Sequence, residues 1–332
     1  MTRSGVWKCA GGLLVVICLL ALRSSLTHAQ APSTSRFPDS VTVSSGPKTN
    51  LFDHVMKKAD ILAALAQVQD SRDLFVKSNA ALTLRAANNT SKVPFKLHPE
   101  ADELWFVYRG TAKVTLAPFS LMVGVTPPGD TYDVSAGDIV NVPRGMAYQI
   151  MPSAGRFEYV AMRRFAVQPP NAGAGRAGGT PPPQLPPVTT KAQLDQFFST
   201  ATESANLGSG INRIIYNGAP GGTRYGPQDG GPVENHEIDE HIYFIAYGTA
   251  KATFDGFITG AHWDTRGVMG TGVVGGTEYT VAPGDIAFVF RNTTHYVVPD
   301  PPTSKAGYLL VGLTYAEPFW PKSIIPNGTG AY

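Results

Sequence analysis

Glu103-Leu-Trp-Phe-Val-Tyr-Arg-Gly110-Thr-Ala-Lys113 decides the fold, because it recurs as His241-Ile-Tyr-Phe-Ile-Ala-Tyr-Gly248-Thr-Ala-Lys251. A second block follows each copy in the same order. Tyr132-Asp-Val-Ser-Ala-Gly137-Asp-Ile139 returns as Tyr279-Thr-Val-Ala-Pro-Gly284-Asp-Ile286. Two ordered blocks, repeated once, mean one β-rich unit used twice. The first blocks are offset by 138 residues and the second by 147, so the second copy carries nine extra residues. They fall in the Gly-rich stretch 255–277, which includes His262-Trp263-Asp264. It reads either as a rim or lid at one end of the unit or as a solvated insertion.

Outward from these blocks, runs of β-branched and aromatic residues broken by Gly, Pro and Asn predict strands. In the first copy they cover 80–86, 93–98, 103–108, 112–117, 138–142 and 157–163. In the second they cover 213–217, 241–247, 250–254, 285–290, 295–298 and 308–313. A helix over about 54–69 is expected before the first copy, with Asp53 as its cap. A second, led by Thr190, runs to about Ala201 with Leu194, Phe197 and Phe198 inward. Residues 168–188, rich in Pro and Gly, cannot form a packed core and read as a linker.

The N-terminus has a different character. Arg3 and Lys8 precede the apolar run Gly11 to Leu22, and Thr27-His28-Ala29 is a small-x-small cleavage pattern. That reads as a secretory signal peptide, cleaved after Ala29, with an uncleaved N-terminal anchor as the alternative, although the apolar run is short for a membrane span. It implies a secreted or periplasmic protein with no membrane association after cleavage. Both cysteines, Cys9 and Cys18, lie in this leader, so thiol catalysis and thiolate ligation are excluded for the mature chain. Removing Arg3, Lys8 and Arg23 from the 27 basic residues leaves 24 against 25 acidic ones. No basic patch is visible, which excludes nucleic acid as an expected partner.

The spacing resembles the cupin family and, with two copies, a bicupin. The family's first motif is a His-x-His pair, a Glu, six residues and a Gly. Its second is a Gly, five residues, Pro-x-Gly, two residues and a His. The first copy reads Lys96-Leu97-His98, Glu103 and Gly110, then Gly137, Pro143-Arg144-Gly145 and Tyr148. The second reads Glu234-Asn235-His236, His241 and Gly248, then Gly284, Phe290-Arg291-Asn292 and His295. The resemblance spans roughly 75–165 and 210–315. It implies an all-β chain of two tandem double-stranded β-helix (jelly-roll) barrels, each preceded by a short helix. The expected segments are a signal peptide 1–29, a flexible segment 30–50, barrels 51–167 and 189–320 joined by the 168–188 linker, and a tail 321–332.

The resemblance also implies one divalent transition metal in the second barrel, held by Glu234, His236, His241 and His295. This is the family's ligand set with a glutamate and a histidine exchanged. Three imidazoles and a carboxylate suit Fe, Mn, Cu, Ni or Zn. Strand alternation puts Glu234 and His236 on one face. The interval from 236 to 241 is odd, so a turn or bulge within 237–240 is needed to bring both histidines inward. Glu240 and Glu237 are candidates for acid–base work or for supporting the ligands, or are solvated acids. At the matching positions the first copy has Lys96, His98, Glu103 and Tyr148. An ammonium cannot ligate a metal, and Lys96 is expected to pair with Glu103. That barrel reads as metal-free or weak: either an anion site or a unit kept for packing.

Three functions follow. The first is a secreted metal-dependent bicupin enzyme acting on a small organic substrate by dioxygenase- or decarboxylase-type chemistry, with Glu240 as a catalytic candidate. The second is a non-catalytic module binding a metal or small molecule, and the third a structural bicupin. Barrel-to-barrel packing and homo-oligomers are common in the family.

Overall fold

The computed structural model describes residues 41–42, 54–76, 80–88, 95–99, 101–118, 129–165, 185–202, 204–207, 211–217, 233–236, 239–264 and 267–314. The expected leader, the 321–332 tail, residues 168–184 of the linker and all of 30–50 except Val41–Thr42 lie outside them. The described chain is all-β, with helices at Lys58–Ala66 and Lys191–Thr200 alone among the described residues.

The first barrel is built on two long strands, Ala101–Pro118 and Met146–Phe165, paired antiparallel from Ala101 opposite Phe165 to Pro118 opposite Met146. The expected break between 108 and 112 is therefore a bend within one strand. The register shifts around Arg109 and Thr111, and Gly110 takes φ +84. A Cβ there would run into the Arg156 carbonyl. Gly248 holds the same place in the second barrel, at φ +65 and against the Lys305 carbonyl. Only glycine meets both demands without strain, which is why the repeated block carries it twice.

The second barrel consists of two six-stranded sheets. One contains Ile211–Asn217, Lys305–Thr314, Asp239–Tyr247 and Ile286–Val289. The other contains Val233–Asn235, His295–Pro299, Ala250–Phe254 and Thr277–Val281. The Gly-rich stretch that holds the excess residues adds strands to this second sheet and to a separate three-stranded one. Gly267–Gly270 pairs with Val233–Asn235, setting Met269 opposite Glu234 and Val268 opposite Asn235. Part of the stretch expected as a loop thus extends the sheet that carries Glu234 and His295.

Alternation explains why both blocks are apolar almost throughout. Trp105 and Val107 point into the first barrel, and Tyr243 and Ile245 into the second. Leu104, Ile242 and Phe244 join the largest core, which lies between the barrels and includes Ile61, Leu65, Leu194 and Phe198 of the two helices. Phe106 stacks on Phe244 there, ring planes 5° apart. Strands buried on both faces read as continuous apolar runs. Truncating Phe244, which is 2% exposed, costs about 3–5 kcal/mol.

The leading segments are exchanged. Val55–Met56, which precedes the first copy, pairs with Ile286–Val289 of the second barrel. Val188–Thr189, which precedes the second copy, pairs with Ile139–Val142 of the first. The repeated Gly-Asp-Ile block locks each helix to the opposite repeat. Asp285 Oδ1 accepts the Lys58 backbone N–H at 2.7 Å, and Asp138 Oδ1 accepts that of Lys191 at 2.7 Å. The expected start of the first helix is corrected here: it begins at Lys58, and its flanking residue Lys57 makes no side-chain cap. Asp53 lies outside the described residues, and the capping carboxylate comes from Asp285. The second helix starts as expected, with Thr190 and Gln193 forming a capping box.

Candidate metal centre

In each barrel the first and last motif positions are direct cross-strand partners. Lys96 lies opposite Tyr148, and Glu234 opposite His295. The third position comes from the block that names the repeat, on a strand that in the second barrel belongs to the other sheet. It is Glu103 in the first barrel and His241 in the second. The same strand arrangement recurs in both barrels, and the side-chain identities decide what each set does.

In the second barrel His236, His241 and His295 offer ring nitrogens that all lie within 4.8 Å of one another. Ring centroids are 4.7 Å apart for His236–His241, 5.2 Å for His236–His295 and 5.9 Å for His241–His295. The odd interval is absorbed by the break between strands Val233–Asn235 and Asp239–Tyr247. The second motif's departure from Pro-x-Gly is absorbed as well. Asn292 takes φ +60 where Gly145 takes +77, and its backbone N–H bonds the His236 carbonyl at 2.8 Å. Asparagine tolerates the left-handed region, so the turn before His295 is kept.

Glu234 Oε2 lies 2.9 Å from His236 Nε2 and 3.7 Å from His295 Nε2. Burial works to raise this carboxyl's pKa, but the bonds to His236 and His295 outweigh it and hold the group well below its usual range. Burial lowers the pKa of His295, which favours the neutral imidazole a metal needs. The Nδ1 of His295 sits 3.1 Å from the Thr293 carbonyl, so it carries the proton and Nε2 faces Glu234. His241 Nδ1 lies 3.3 Å from the Tyr243 hydroxyl, which orients that ring in the same manner. Behind it Tyr243 stacks on Tyr308 at 4.4 Å, and Tyr308 OH meets Tyr216 OH at 2.7 Å.

Glu240 does not share this pocket. It is the strand neighbour of His241 and lies on the face of Ile242 and Phe244, away from the histidines. Glu237 lies outside the described residues.

The first barrel places Arg163 across from Glu103, and the expected Lys96–Glu103 pair is absent. The Lys96 amine is 3.8 Å from Asp70 instead. Glu103, 1% exposed, accepts from Arg163 Nε at 2.9 Å and from the Trp105 indole at 2.8 Å. Arg85 Nη2 stands 3.7 Å from Glu103 and His98 Nε2 3.3 Å from it. Tyr148 OH lies 3.3 Å from His98 and 3.4 Å from Arg85. Burial, then the Glu103 charge, pushes the Tyr148 hydroxyl's pKa up. Two guanidiniums thus neutralise the carboxylate from inside the protein. Neither arginine was singled out in the sequence. Their signal was a charged residue at an inward parity in an otherwise apolar strand.

No protein-family model and no curated protein matches the chain. Solved structures do. A cupin 2 conserved barrel domain protein from Leptotrichia buccalis is 10% identical with a TM-score of 0.45, over 80% of this chain and 100% of that one. An oxalate decarboxylase formate complex from Lactobacillus farciminis is 13% identical with a TM-score of 0.40, over 82% and 89%. A variant of the Bacillus subtilis oxalate decarboxylase is 12% identical with a TM-score of 0.41, over 82% and 79%. What the site can do is read from the chain's own side chains.

Proposed function

We propose that the chain is a metal-dependent two-barrel protein acting on a small organic substrate, with one divalent transition metal in the second barrel. The observation that carries this reading is the convergence of the His236, His241 and His295 ring nitrogens within 4.8 Å. Their donor set suits Fe, Mn, Cu, Ni or Zn. Glu234 stands beside two of them, ready to complete the set or to accept a proton from a bound molecule. A metal held this way supplies a Lewis acid with open positions, the usual basis of dioxygenase- or decarboxylase-type chemistry. Thr293 sets the tautomer of His295, Tyr243 orients the His241 ring, and the bonds to His236 and His295 keep the Glu234 carboxylate ionised.

Elemental analysis of purified protein, beside His236→Ala and His295→Ala, tests the reading. One equivalent of metal in the wild type, lost in both variants, supports it. Wild type that stays metal-free after reconstitution, with both variants folded alike, leaves a non-catalytic bicupin.

A further inference from the structure

A glycine stands across the strand from His241. His241 and Gly312 are direct cross-strand partners, so both face the interior of the second barrel. The matching pair in the first barrel is Glu103 and Arg163. Two layers along, Tyr308 lies opposite Ile214, where the first barrel sets Tyr159 opposite Arg85. The second barrel thus has Gly312 and Ile214 where the first has two guanidiniums.

Nothing in the backbone demands glycine at 312. Its φ is not in the left-handed region, and a Cβ there would meet only Leu310 Cδ2, at an ordinary 3.7 Å, among the described residues. Gly307 on the same strand contrasts with it, since a Cβ there would strike the Phe198 ring. Gly307 is a packing glycine, while Gly312 leaves room. That room lies beside His241, with Leu310 on one side and the Tyr243–Tyr308 stack and Ile214 below. Gly312 itself is only partly buried.

We infer that Gly312 is the specificity-determining position of the second barrel: the space it leaves beside His241 admits an uncharged, apolar-faced organic hydroxyl compound to the metal. This rests on the metal reading above. A leucine at 312 fills the space, and an arginine there restores the cation of the first barrel, favouring a small carboxylate.

The test uses cobalt(II)-loaded protein, whose visible absorption reports ligands reaching the metal. Catechol, neutral at pH 7, oxalate and azide are titrated into wild type, Gly312→Leu and Gly312→Arg, with thermal melts checking the fold. Catechol is expected to perturb the wild-type spectrum at lower concentration than oxalate. Gly312→Leu should raise the half-saturating catechol concentration by about tenfold or more, because the leucine occupies the space the ligand needs, with azide little changed. Gly312→Arg should reverse the order of catechol and oxalate. Equal catechol titrations in wild type and Gly312→Leu, with cobalt bound in both, would overturn the inference alone. Wild type that binds no cobalt would overturn the metal reading and this inference with it.

Discussion

Glu103 in the first barrel and His241 in the second occupy one place in one repeated strand, and their surroundings have diverged in opposite directions. Around Glu103 the chain supplies charge: Arg163 across the strand, Arg85 beside it, and the Trp105 indole. Around His241 it supplies imidazole and space: His236, His295, and Gly312 across the strand. A buried carboxylate must be compensated, because desolvation of an unpaired charge is costly. The first barrel meets that need with guanidinium. The second gathers three imidazoles beside the Glu234 carboxylate, a donor set for a cation from outside. The scaffold, register and glycine turns are held in common, so a difference between the barrels in metal affinity traces to these few side chains.

The largest effect expected is on the metal. His295→Ala should reduce bound metal from one equivalent to background, while Tyr148→Ala at the matching position changes nothing in metal content; elemental analysis of both decides this. Next comes stability of the first barrel. Glu103→Ala leaves two buried guanidiniums facing each other and should cost about 3–5 kcal/mol in denaturant unfolding, with the second barrel's metal unaffected. A loss under about 1 kcal/mol would mean that the arginines relax to solvent and that the network is not the first barrel's anchor. Tyr243→Phe removes the hydroxyl that orients His241 and should weaken metal affinity about tenfold, measured by competition with a chelator. Smallest is a test of what the barrels share. Asp138→Ala and Asp285→Ala each remove a helix cap supplied by the opposite repeat, and each should cost about 1 kcal/mol of stability to a similar extent. Loss confined to one of them would break the symmetry between the exchanged helices.

The sequence shows the shared features well and the exchanged ones poorly. The repeated blocks, their glycines and the second helix with its Thr190 cap are written in local pattern, and the structure has them where the pattern puts them. The convergence of positions 236, 241 and 295 was legible through motif spacing, although parity alone argued against it. Partner choice was not legible. Nothing local in Val55–Met56 says that it pairs with a strand more than two hundred residues away, or that Asp285 caps the first helix. Arg163 was missed for the same reason. It becomes Glu103's partner only once the register of two distant strands is known, and Lys96 looked nearer in sequence. Glu240 neighbours His241 in sequence, which in a strand means the opposite face.

Anomalous diffraction at the absorption edge of the bound metal, on crystals of the purified protein, tests the contrast between the barrels most directly. The account predicts one peak per chain, among His236, His241 and His295, and none near Glu103. A peak beside His98 and Glu103, or metal bound elsewhere with the three histidines empty, would contradict it.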